Sequence, residues 1–227
     1  MNFYKKAMGI WEDIEEHGPG GSSQLTIEQL RKRQGFENMS DEEIRDLVDK
    51  RNKDNLLREH YRRDAFVDEY GWSVPSKEAI EKIKEFVGDG RVLEVGSGYG
   101  LWSKLLRDEG VNTHATDDLS WPEESTWHPS KKQFTSIENI SNIEAIEKYP
   151  GYNVLMMSWP DYDSPFAITS LETFKGDKII YIGEGAYGCT GCDRFHALLN
   201  KEWERVGEVD IPQWSGLHDY LSLFVRK

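Results

Sequence analysis

The chain has 227 residues, 37% hydrophobic and 12% aromatic, with 28 basic against 41 acidic side chains and a formal net charge of −13. That is material for one domain of moderate size plus an appendage. No apolar run approaches the roughly 20 residues needed to span a bilayer, and the acidic balance repels polyanions on average. Acidic residues also interrupt the N-terminal stretch, which excludes a secretory signal, and two neighbouring cysteines give no disulfide framework. A cytoplasmic protein is expected, with no membrane partner.

Residues 1–69 read as a helical region. Phe3, Ala7, Ile10 and Ile14 recur at spacings of three and four, the mark of an amphipathic helix. His17 to Ser23 is a glycine-rich break. Thr26 with Gln29 and Ser40 with Glu43 form two capping boxes, and a further helix is expected over about 54–67. Basic clusters at Arg31-Lys32-Arg33 and Arg58 to Arg63 sit among many acids, as on solvated helix faces. The region suits a lid, a recognition module or a homo-oligomer surface, and composition does not choose among them.

From residue 70 to 227 the pattern changes to alternating strands and helices. Pro75 and Ser76 open a helix that buries Ala79, Ile80, Ile83, Phe86 and Val87. Strands are expected at 91–96, 111–116, 134–138, 153–158 and 178–183. Between them lie a helix at 99–109, a long loop from Leu119 to Lys132, and a helix behind Ser164-Pro165 carrying Ala167, Ile168, Leu171 and Phe174. A helix near 192–200, capped by Thr190 with Asp193, leads into strand-like segments 203–211 and 219–226. This is a doubly wound α/β sheet, mostly parallel, with an antiparallel final pair.

The run Arg91-Val-Leu-Glu94-Val-Gly96-Ser97-Gly98-Tyr-Gly100 carries the chemistry. It is a buried strand, an acid and glycines at alternate positions before a helix. A dinucleotide loop, G-x-G-x-x-G, would need its last glycine at Leu101, which disfavours a Rossmann oxidoreductase. No lysine follows as in a P-loop. Asp117, at the end of the second strand, occupies the place that accepts ribose hydroxyls in such sheets, with Asp118 as the fallback if the strand runs one residue longer.

The E-x-G-x-G-x-G pattern of Glu94, Gly96, Gly98 and Gly100 resembles the first motif of the class I S-adenosylmethionine (SAM) dependent methyltransferases. The resemblance covers residues 70–227 and implies their seven-stranded sheet, with SAM as cofactor. It places Glu94 near the cationic amino acid end of SAM and Gly96, Ser97, Gly98 and Gly100 along the nucleoside. Glu138 falls where the family approaches adenine, and the segment of Trp72 where it closes over the cofactor.

Ser158-Trp159-Pro160-Asp161-Tyr162 is similar to the N/D/S-x-P-aromatic motif of amino-group methyltransferases, except that Asp161 holds the aromatic position and Tyr162 comes one later. Ser158, Trp159 and Tyr162 are the residues expected at the transfer site. The departure weighs against adenine or cytosine as acceptor, and a small molecule or protein side chain is favoured over nucleic acid. Asp161, Glu184 and His218 are candidate bases by location. His218 pairs with Asp219 or is a packed loop histidine, and Trp214 is expected to reach toward the substrate pocket. Two readings stand beside the enzyme: a non-catalytic SAM-binding regulatory protein, and an RNA or DNA amino-group methyltransferase. Cys189, Cys192 and His196 have zinc-compatible spacing but no fourth ligand, so no metal is expected.

Overall fold

The computed structural model describes residues 3–21, 27, 30, 38–51, 55–120 and 133–227. The Thr26 and Gln29 pair, the 31–33 basic cluster and residues 121–132 of the long loop lie outside these. In chain order the helices α1 (Phe3–His17), α2 (Asp41–Arg51), α3 (Asn55–Tyr70) and α4 (Lys77–Val87) precede the first strand, β1 (Arg91–Val95). Then follow α5 (Leu101–Asp108), β2 (Asn112–Asp117), β3 (Ile137–Asn139), α6 (Asn142–Lys148), β4 (Val154–Ser158) and α7 (Phe166–Thr173). The chain closes with β5 (Lys178–Gly183), α8 (Asp193–Glu202), β6 (Trp203–Asp210) and β7 (Tyr220–Arg226).

The seven strands form one sheet in the order β3-β2-β1-β4-β5-β7-β6. The pairs from β3 through β5 are parallel, and β7 runs antiparallel between β5 and β6. This is the Rossmann-like fold of the class I methyltransferases, with β7 inserted against the direction of its neighbours.

Alternation along the strands divides the core into two layers, because successive side chains leave opposite faces. Val92, Val154, Met156, Ile180 and Ile182 face α4 and α5, whereas Leu93, Val95, Leu155, Met157 and Ile179 face α6, α7 and α8. Both faces are covered, which is why these strands read as continuous apolar runs.

The expected elements differ from the structure in three places. The third strand covers Ile137–Asn139 instead of 134–138. As a short, half-exposed edge strand it has no apolar run to fix its start. Helix α6 was not anticipated, although Ser141 and Glu144 form its capping box. Finally, Cys192 rather than Thr190 is the N-cap of α8. The Thr190 hydroxyl is instead buried beneath the preceding loop, accepting from the Glu184 backbone N–H at 2.8 Å and meeting the Tyr181 hydroxyl at 2.8 Å.

Helices α1 and α3 pack onto the domain core, whereas Ile44 of α2 joins a separate cluster with Leu30 and Tyr61. Ile14 of α1 and Phe66 and Tyr70 of α3 belong to the same cluster as Val74, Ile80 and Trp214. Phe66 meets Trp214 edge to face at 5.8 Å, so Trp214 packs the β6–β7 connection into the core instead of reaching toward a pocket as expected. Arg62 donates to the backbone oxygen of Gly18 at 2.9 Å, and Glu59 accepts from the Ser215 backbone at 3.0 Å. Because α3 and the sheet share one core, Phe66→Ala should lower the stability of the whole chain by about 3–5 kcal/mol. In urea unfolding followed by tryptophan fluorescence, the single transition should move to lower urea. An early separate transition, with the main one unmoved, would contradict the shared core.

Candidate functional site

At the carboxyl edge of the sheet the chain turns between β1 and α5 through three left-handed glycines, Gly96 (φ +63), Gly98 (φ +56) and Gly100 (φ +73). Their surroundings differ. A Cβ on Gly96 would stand 2.7 Å from the Phe166 ring, and one on Gly100 2.9 Å from Thr135, whereas nothing lies within 4 Å of that on Gly98. Gly96 and Gly100 therefore seat the turn against the protein, and Gly98 leaves open space before it.

The turn is held to the end of β2. The Ser97 N–H donates to the Thr116 carbonyl at 3.0 Å, and the Gly98 N–H to Asp117 Oδ2 at 2.9 Å. Asp117 Oδ1 accepts from the Leu119 N–H at 2.9 Å. Burial raises the pKa of this carboxyl group against those two hydrogen bonds. Each oxygen retains a second lone pair.

A narrow cleft of about 60 Å³ runs along this turn, walled by Trp72, Ser73, Gly96, Ser97, Gly98, Ser158 and Trp159 among others. Ser73 and Ser158 share a hydrogen bond of 2.7 Å across it, and the Trp102 indole donates to Ser73 at 2.8 Å. Trp72 stacks on Trp159 at 5.1 Å with 13° between the rings. Trp159 holds a left-handed φ of +53°, unusual for a bulky side chain and a source of local strain. The Ser97 hydroxyl is buried without a hydrogen-bond partner.

Of the residues singled out in the sequence, Trp72, Gly96, Ser97, Gly98, Ser158 and Trp159 thus meet along one cleft, with Asp117 behind it. Gly100 caps α5 as a left-handed residue. The other four point elsewhere. Glu94 is 1% exposed and turned beneath α5, where the Ser103 hydroxyl donates to it. Asp118 is exposed and accepts from Ser120. Glu138 joins His114 (2.7 Å), Lys148 (2.6 Å) and Tyr149 (2.6 Å) outside the cleft, and those hydrogen bonds, Lys148 first, bring its pKa down to about 2. Tyr162 is exposed on the turn after β4, and its pKa is raised chiefly by Asp193.

The loop after β5 contributes groups that the sequence placed only by location. Glu184 accepts from the backbone N–H of Cys189 at 2.6 Å and of His218 at 2.9 Å. Burial works against ionisation, but these bonds prevail and hold its pKa below the usual value. The His218 ring stands 3.7 Å from Glu184 and is largely exposed, so its neighbour is Glu184 rather than Asp219. Partial burial, then Glu184, raises the pKa of the exposed Cys189 thiol to about 12. His196 meets the Thr190 carbonyl at 2.9 Å. Among the described residues no group of His, Cys, Asp and Glu is arranged to hold a metal.

Two charged groups stand beside the cleft that the sequence reading placed otherwise, Asp219 as a partner of His218 and Arg63 as one charge of a basic cluster. Asp219 is 1% exposed with Oδ1 lacking a hydrogen-bond partner. Burial raises its pKa to about 6, with Glu184 adding to the effect and Trp159, Arg63 and His218 opposing it. Arg63 of α3 lies over both indoles, 5.3 Å from the Trp72 centroid and 5.7 Å from that of Trp159. Neither has a local sequence signal, because only the tertiary fold brings α3 and the β7 approach to Trp159.

No family model and no curated protein sequence matches the chain. Solved structures with a similar backbone include 1,6-didemethyltoxoflavin-N1-methyltransferase of Burkholderia thailandensis, determined with 1,6-didemethyltoxoflavin and S-adenosylhomocysteine bound. It is 14% identical, covers 83% of this chain and 91% of that one, and gives a TM-score of 0.47. A NADB-Rossmann superfamily protein of Streptococcus agalactiae is 12% identical, covering 68% and 70%, with a TM-score of 0.45. TehB of Haemophilus influenzae is 14% identical, covering 73% and 67%, also at 0.45. At such values the fold assignment rests on the chain's own strand order.

Glu94 offers a test of the buried face of the turn. Burial pushes its pKa up to about 7, against the Ser103 hydrogen bonds. A carboxyl group raised in the folded state contributes most below its unfolded pKa and loses that contribution as pH rises through the folded value. The native chain should therefore lose about 2–3 kcal/mol through this group between pH 5 and 8. In paired urea titrations Glu94→Gln should be free of that loss and gain on the native chain as pH rises. A constant difference between the two across that range would refute the buried acid.

Proposed function

We propose that the chain binds S-adenosylmethionine along the β1–α5 turn and moves its methyl group to an acceptor at the Ser158–Trp159 edge. The observation that carries this reading is the turn itself: three left-handed glycines, one with open space before it, tied to the acid that ends β2. The fit is chemical. Gly98 lets an adenosine approach the backbone, Asp117 keeps lone pairs for ribose hydroxyls, and the unpartnered Ser97 hydroxyl is a polar group in need of a ligand atom.

SAM, when bound, supplies an electrophilic methyl on a sulfonium. The chain's part is alignment. Ser158, at the end of β4, has a hydroxyl able to orient an acceptor lone pair, and in-line positioning provides much of the acceleration in such transfers. The indole faces of Trp72 and Trp159 favour a cation beside them and exclude water. At about 60 Å³ the cleft is well short of the roughly 300 Å³ of ordinary small-molecule pockets. Entry therefore requires the Trp72–Ser73 segment to swing away from Ser158 and Trp159, breaking the two hydrogen bonds of Ser73 and the indole stack, and to reseat over the bound cofactor.

A small molecule or protein side chain suits the acceptor site better than nucleic acid, given the net charge of −13. The narrow, indole-covered cleft favours one second reading, a SAM-binding protein without turnover. Labelled SAM incubated with the protein and fractionated cell extract separates the two: an enzyme transfers label to one fraction, a binding protein to none.

Calorimetry should give micromolar SAM affinity, weakened at least about tenfold by Asp117→Ala, the loss of a ribose contact being worth about 1–2 kcal/mol. Gly98→Val should weaken it as much by putting a branched side chain into the open space at a left-handed φ. Unchanged affinity in both variants would move the binding site away from this turn.

A further inference from the structure

The cleft adjoins an unusual meeting of π surface and charge. Trp72 and Trp159 stack nearly parallel with centroids 5.1 Å apart, and this indole pair forms a platform beside the cleft. Asp219 stands beside the Trp159 indole N–H, almost wholly buried and with one carboxylate oxygen unpartnered. Over the platform lies Arg63, whose Nε is buried without a hydrogen-bond partner. The guanidinium thus takes its stabilisation from two indole faces and from the field of Asp219.

We propose that Trp72, Trp159 and Asp219 form the recognition site for a cationic nitrogen group on the methyl acceptor, a guanidinium or protonated amine, and that Arg63 occupies it as an internal stand-in. The proposal rests on reading the neighbouring cleft as the methyl-donor site, and it names the acceptor class for that site.

Three observations favour a cation over an anion held by Arg63. Indole faces carry negative quadrupole density and attract cations. Asp219, together with Glu184 near it, would repel an incoming carboxylate or phosphate. The net charge of −13 draws cations toward the surface and slows the approach of anions. An acceptor cation would displace Arg63 outward, to where α3 meets solvent, and take over the same contacts.

Competition by an internal group lowers apparent affinity by the fraction of time the site is free. The test titrates the full chain with agmatine, a guanidinium compound without a carboxylate, following tryptophan emission. Arg63→Ala should bind agmatine at least about tenfold more tightly than the native chain. Arg63→Lys, which keeps a cation over the platform, should stay near the native affinity and shows that the site survives substitution. Adding Asp219→Asn to Arg63→Ala should remove most of the gain. Equal agmatine affinity in Arg63→Ala and the native chain would overturn the proposal. So would succinate binding to the native chain that Arg63→Ala abolishes, since Arg63 would then be an anion anchor. Calorimetry with S-adenosylhomocysteine on the same samples reads the donor cleft separately. Agmatine binding without it would uphold the platform and remove the donor reading, and the reverse result would remove the platform alone.

Discussion

The hydrogen bond from the Gly98 N–H to the Asp117 carboxylate is the constraint on which the rest of the site depends. Three left-handed residues in five leave a chain with many alternatives unless something fixes it from outside. Here the end of β2 does so, with the Thr116 carbonyl taking the Ser97 N–H and Asp117 taking the next donor, the Gly98 N–H. The parallel register of β1 and β2, Glu94 opposite Ala115 and Val95 opposite Thr116, delivers both acceptors to the turn. The carboxylate is buried at a cost to its ionised form, which the two backbone donors offset only in part. A side chain with fewer acceptor sites would leave either the turn or Leu119 without its partner.

From that fixed turn the site extends toward the N-terminal helices. Phe66 and Tyr70 join α3 to the core, and Tyr70 stacks on Phe134 at 5.9 Å near the turn. The segment after α3 then runs across the sheet edge, bringing Trp72 to Trp159 and Ser73 to Ser158. The same anchoring places Arg63 over the indoles, one turn of helix before Phe66 and Val67 enter the core. Helix α3 and the segment after it are in this way a roof over the carboxyl edge beside Trp159. The contacts that must break for entry are few and polar or stacked, whereas those holding α3 are buried and apolar. Opening by local movement of residues 71–73 is therefore much cheaper than undocking the roof.

Much of this was legible in the sequence where the physics is local. Strand β5 begins and ends at Lys178 and Gly183 as its apolar run suggests, and β2 ends at Asp117. Alternate glycines announced left-handed backbone, and Ser40 and Glu43 do form a capping box, with the Ser40 N–H 2.7 Å from Glu43. What escaped was tertiary. Nothing near Glu94 says that its side chain turns to Ser103, because that depends on which face of β1 packs under α5. Glu138 lies close to the predicted strand end, yet a shift of that edge strand and the unforeseen α6 bring Lys148 and Tyr149 to it. Arg63 read as one charge on a mixed helix face, and only the docking of α3 separates it from its neighbours. Thr190 shows the ambiguity of a hydroxyl before a helix, since a buried backbone N–H at Glu184 outcompetes the cap.

The central claim is that the β1–α5 turn and the Trp72 segment together close on a sulfonium nucleoside. Amide hydrogen exchange with and without S-adenosylhomocysteine tests it most directly. The account predicts slower exchange over 96–102 and 117–119, with altered exchange at 71–73 as that segment reseats. Protection confined to other parts of the chain, or none at saturating ligand, would contradict it.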